Sequence, residues 1–83
     1  MRTARLMGWI RLNSSVLAAV WYHSNQLHVE FCTGEIYRYR GVPASVYRKL
    51  LSAPSHGTFF NAKVRDAYPF DHIPASSAAA FNP

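Results

Sequence analysis

Eighty-three residues allow a single small domain. One cysteine, Cys32, excludes an internal disulfide, and no apolar run approaches the ~20 residues a membrane helix needs. Nine Lys and Arg against four Asp and Glu leave a net charge of +5, an excess that favours polyanionic partners over cationic ones. Met1 to Trp9 is basic without a following apolar stretch, so no secretory signal is read there. With the lone thiol, that fits a reducing, cytoplasmic setting.

In chain order, residues 1–8 read as a leading tail. Trp9 to Leu12 could form a brief edge strand, and Asn13-Ser14-Ser15 is turn chemistry. Val16 to Tyr22 is rich in β-branched and aromatic residues and predicts a strand. A polar turn at His23 to Gln26 leads to Leu27–Cys32, where Leu27, Val29 and Phe31 alternate with His28, Glu30 and Cys32, the pattern of a half-buried strand. Gly34 supplies positive φ in the next turn, and Ile36 to Arg40 makes the third strand of an antiparallel meander.

At Pro43 the period changes. Val46 with Leu50, and Tyr47 with Leu51, recur at helical spacing, with Arg48 and Lys49 on the other side. Pro54 ends that helix. Ser55 reads as the N-cap of a second helix over about residues 56–66, burying Phe59 or Phe60 with Val64. Tyr68-Pro69-Phe70 is placed against the core, and residues 71–83, mostly Ala, Ser, Pro and Asn, read as a disordered tail.

The ordered set VWY (20–22), Leu27-x-Val29-x-Phe31, YRY (37–39), VP (42–43), VY (46–47), APSHG (53–57), FFN (59–61) and VR (64–65) resembles the KTSC domain. The specific part is YxYxxVPxxVY followed by SxGxFFN. The resemblance covers about residues 9–70. That family is named for its place at the C-terminus of some lysyl-tRNA synthetases and includes free-standing bacterial and phage proteins. It implies no catalysis, and an RNA-binding role by association with the synthetase. This chain departs from the pattern at Trp21, where the family often has glycine.

The chemistry-bearing residues each have a plainer alternative. His28, Glu30 and Cys32 share a strand face, but alternate strand residues lie about 6.6 Å apart, whereas a Cys–His catalytic pair needs about 3 Å. No enzyme activity is therefore expected. His23, His28, His56 and His72 lack paired ligand spacing, so neither metal nor other cofactor is expected. In Tyr37-Arg38-Tyr39-Arg40 the strand period sends the two tyrosines to one face, read as core, and the two arginines to the other, with Glu30 as a neighbour across the strands. Ser55 and Gly57, at the start of the second helix, could border a phosphate or simply cap and shape the helix. Asn61 reads as a structural hydrogen bonder.

The fold class read from this pattern is α+β: a three- to four-stranded antiparallel meander with two C-terminal helices packed on one face. The domain is placed at residues 9–70, between tails 1–8 and 71–83. The expected function is a small basic module that binds nucleic acid, RNA favoured, through phosphate contacts from Arg38, Arg40, Arg48, Lys49, Ser55, Gly57, Lys63 and Arg65. The alternative is a protein-interaction module using a sheet edge or the aromatics Trp9, Trp21 and Phe81. No membrane partner is expected, and the chain is read as a monomer or weak dimer.

Overall fold

The structure, a computed structural model, describes residues 8–74. Five strands lie side by side in chain order, each antiparallel to the next: β1 (Ile10–Arg11), β2 (Leu17–His23), β3 (Gln26–Phe31), β4 (Ile36–Arg40) and β5 (Phe70–Ile73). Two helices, α1 (Ala44–Ser52) and α2 (His56–Lys63), fill the connection from β4 to β5 and pack on one sheet face. None of the helices among the described residues is long and apolar enough to cross a membrane.

The β2–β3 hairpin closes on Ser24 and Asn25, with φ of 50° and 63°. Positive φ at both central residues gives the turn whose twist matches the flanking strands. A register shift between Leu17 and Ala19 interrupts the alternation of β2. The extra residue is what allows both Leu17 and Val20, an odd number of positions apart, to be fully buried on the helix side. The adjoining small residues, Ala18 and Ala19, accommodate the irregularity.

Pro43 caps α1 in extended conformation (ψ 152°), one position earlier than the first-turn placement read from sequence. α2 starts at the Ser55 cap, whose Oγ accepts from Thr58 N at 3.3 Å. Leu50, Phe60 and Val64 of the helical segment meet Leu27 and Val29 of β3, all at most 1% exposed. Each such side chain contributes roughly 1.5–3 kcal/mol. Phe60 makes edge-on contacts with Phe31 and Tyr39.

Three expectations need correction, the first being the strand count, which is five rather than three or four. The helices are not C-terminal, because β5 follows them, and the chain does not leave the fold after Phe70. Residues 70–73 pair with β4 from Ile36↔Ile73 to Tyr39↔Phe70. Ile73 is buried, and Asp71 meets two arginines, so this segment does have something to bury and to pair. The remainder of the predicted tail, Phe81 included, lies outside the described residues, as does 1–7 of the leading tail.

Candidate nucleic-acid interface

The sheet separates the charged residues onto two sides. On β4, Tyr37 and Tyr39 turn toward the helices and Arg38 and Arg40 away from them, as the strand period requires. Tyr39 is 3% exposed, while the Arg40 side chain is 51% exposed. Burial pushes the Tyr39 phenol above its ordinary pKa. Glu30 does not face either arginine. It pairs with Ile36, whereas His28 pairs with Arg38 and Gln26 with Arg40. The carboxylate that answers them is Asp71, with Oδ2 at 3.2 Å from Arg38 Nη2 and 3.2 Å from Arg40 Nε.

The same face carries an aromatic cluster on the neighbouring strands. Trp21 lies 6.0 Å from Trp9, 4.6 Å from His28 and 6.5 Å from His23, centre to centre. Trp21 therefore extends an aromatic cluster on the sheet face opposite the helices. His28 is 3% exposed, and its Nδ1 is 3.3 Å from the Trp21 carbonyl. Burial, with the Arg38 charge adding to it, holds its pKa below the usual histidine value. Cys32 lies beyond the end of β3, exposed, with Sγ 3.5 Å from the Ser14 carbonyl.

The helical side has a different electrostatic character. From Ile36 to Arg65 the chain contains no Asp or Glu. Arg48 and Lys49 on α1, Lys63 on α2 and Arg65 just after it are all exposed, and none forms an ion pair among the described residues. These four share the helical side. Arg38 and Arg40 lie across the sheet from them, so the six cations do not converge on one surface.

Ser55 and Gly57 stand at the start of α2, also on the helical side. The Ser55 hydroxyl donates to Thr58 Oγ1 at 2.9 Å while capping the helix. Gly57 is buried, and a Cβ there would lie 3.2 Å from Val16 Cγ2. Its lack of a side chain lets the loop before β2 close on α2. His56 Nδ1–H donates to the Leu50 carbonyl at 2.9 Å and ties the two helices together. Around them a polar pocket of about 340 Å³ is lined by Ser14, Ser55, His56, Gly57, Thr58 and Asn61, among others.

Sequence reasoning missed a second depression. A groove of about 540 Å³ runs between β4, β5 and α2, walled by Phe31, Tyr37, Tyr39, Phe60 and Phe70, with Asn61, Arg65, Glu35 and Asp66 supplying polar groups. Tyr37 sits 5.5 Å from Phe31 and 5.5 Å from Phe70, and Phe70 is 51% exposed. The groove shares Val16 and Asn61 with the polar pocket, so the two adjoin. The available signal was the pairing of Tyr37 and Tyr39 with an aromatic in a segment read as packing near the core. No group of three or more His, Cys, Asp or Glu among the described residues is placed to hold a metal ion.

Comparison with known proteins places this geometry in context. The KTSC domain model matches residues 13–68. An uncharacterized protein of Stutzerimonas stutzeri is 44% identical over 54 residues, spanning 63% of this chain and 76% of the relative. The crystal structure of a KTSC domain protein from Yersinia pestis superposes with a TM-score of 0.76 at 26% identity, covering 80% of this chain and 96% of that one.

Proposed function

The chain belongs to the KTSC domain family, and we propose that it is a nucleic-acid-binding module, RNA favoured, that docks phosphates on its helical side. The observation that carries this reading is the absence of carboxylates from Ile36 to Arg65 together with four exposed cations, Arg48, Lys49, Lys63 and Arg65, that make no ion pair among the described residues. Cations left unpaired by their own fold are available to replace the counterions condensed on a phosphate backbone. Ser55 and Gly57, at the start of α2, border the polar pocket beside this surface, where helix amides favour an anion. Arg38 and Arg40 take a smaller share, because Asp71 already answers both guanidinium groups. tRNA, a polyanion that presents both duplex and single-stranded loops, is a suitable probe.

Titration of the labelled protein with tRNA, followed by NMR at about 50 mM salt, tests the reading. Shifts should cluster on the four helical-side cations and the start of α2. With four phosphates neutralised, log K should fall against log salt with a slope near −3. Shifts confined to the Trp9–Trp21 side, or binding insensitive to salt, would overturn it and favour a protein partner.

A further inference from the structure

Resting on the reading above, we infer that the aromatic groove between β4, β5 and α2 receives an unstacked base, so that the module selects single-stranded over double-stranded nucleic acid. The groove's volume of about 540 Å³ lies within the ~300–1,000 Å³ typical of ligand pockets. Its walls are ring faces and edges. Phe70 is half exposed on the edge strand, with Tyr37 5.5 Å away from it and Phe31 a further 5.5 Å along. Aromatic walls accept any flat ring, and a base within a duplex cannot leave its neighbours to reach them.

The charges around the groove decide which flat ring. Glu35 and Asp66 belong to its lining and repel an anion inside it, so the phosphate stays outside and the neutral base enters. Arg65 lines the same groove and sets one guanidinium beside the rings, where a phosphate linked to a bound base would lie. A nucleotide presents that combination, an uncharged ring beside an anionic linkage. Carboxylates, Asn61 and the guanidinium can also meet the base's edges as acceptors and donors. A cationic peptide would suit the two carboxylates but not Arg65 beside them.

The test uses a fluorescently labelled single-stranded RNA of about ten nucleotides, near one such site's span, and the same strand in a duplex. Binding of each is followed by anisotropy. Phe70→Ala and Phe70→Leu should weaken the single strand roughly tenfold or more, the scale of one lost base stack, while duplex binding holds. Phe70→Trp should restore it. The leucine variant keeps an apolar side chain on β5, so a loss seen with both variants reports the ring and not the fold. Equal weakening of both RNAs, or no weakening of either, overturns the inference. So does preferential binding of a Lys- and Arg-rich peptide, or a dimer that Phe70→Ala abolishes while RNA binding stays intact. Charge reversal at Arg48 and Lys63 separates this from the parent reading. If those variants bind RNA normally, phosphate docking on the helical side fails. If they weaken both RNAs and the Phe70 variants do nothing, only the groove assignment fails.

Discussion

Asp71 Oδ2 sits 3.2 Å from Arg38 Nη2, joining the last strand of the sheet to its neighbour β4. The same oxygen is 3.2 Å from Arg40 Nε. One carboxylate thus holds two guanidinium groups that would otherwise repel each other. All three side chains are partly exposed, so solvent screens the pairing and its worth stays at about 1 kcal/mol or less. Asp71→Asn should destabilise the protein by about that amount in urea unfolding. The difference should shrink toward zero in about 1 M salt, where the Debye length is about 3 Å. A loss that persists at high salt would show that Asp71 acts through packing.

His28 makes stability depend on pH in a direction that can be worked out. It is buried beneath the Trp21 ring, and burial lowers its pKa from 6.5. The unfolded chain therefore binds a proton at a pH where the folded chain does not. Stability should be level above the unfolded value and should fall as pH drops through 6.5 toward the lower folded value. Urea midpoints measured on either side of that value should differ in this sense, and His28→Gln should flatten the slope. An unchanged slope in the variant would assign the effect to other groups.

Phe60 is the largest of the fully buried side chains and links both layers, touching Phe31 of β3 and Tyr39 of β4 from α2. Phe60→Ala removes a ring at the centre of the core and should cost about 3–5 kcal/mol. A domain of this size has about 5–15 kcal/mol in total at most, so the variant should be partly unfolded in a thermal melt at modest temperature. Phe59→Ala, at a half-buried position next to it, should cost clearly less.

Much of this fold is written in local pattern. Alternation in Leu27–Phe31 and Ile36–Arg40, positive φ at Gly34, the stripe from Val46 to Leu51 and the Ser55 cap all appear where short-range physics puts them. What escaped depends on partners distant in sequence. β5 is four residues held by pairing along β4, by burial of Ile73 and by Asp71 meeting arginines 31 and 33 positions away, and a tail-like composition hides that. The bulge in β2 is invisible because two alanines carry no face preference. The aromatic groove forms only once β5 brings Phe70 beside Tyr37, so a strand missed in the sequence took the site with it. The division of six cations between two faces, by contrast, follows from alternation itself: with Tyr37 and Tyr39 in the core beneath the helices, Arg38 and Arg40 must lie across the sheet from the helical cations.

Gly57 and Val16 should be energetically coupled. A Cβ at Gly57 would meet Val16 Cγ2 at 3.2 Å and Val16 Cβ at 3.3 Å, tight enough that the valine must yield. Against that crowding stands a propensity gain below the full ~1 kcal/mol of a helix interior, since Gly57 is the second residue of α2. Val16 is 39% exposed and belongs to the approach to β2, so it can shift, but only by disturbing the two bonds that Ser14 Oγ accepts from Val16 N and Leu17 N. Gly57→Ala alone should therefore destabilise, by about 1 kcal/mol, as crowding outweighs propensity. With Val16→Ala already present, the Cγ2 contact is gone while the Cβ contact at 3.3 Å remains, so Gly57→Ala should cost clearly less than it does beside valine. The double-mutant cycle, read by urea unfolding, should return a coupling energy between about 0.5 and 3 kcal/mol. Strict additivity would mean that the glycine is required for something other than room for Val16, and the polar pocket beside it would then be the place to look.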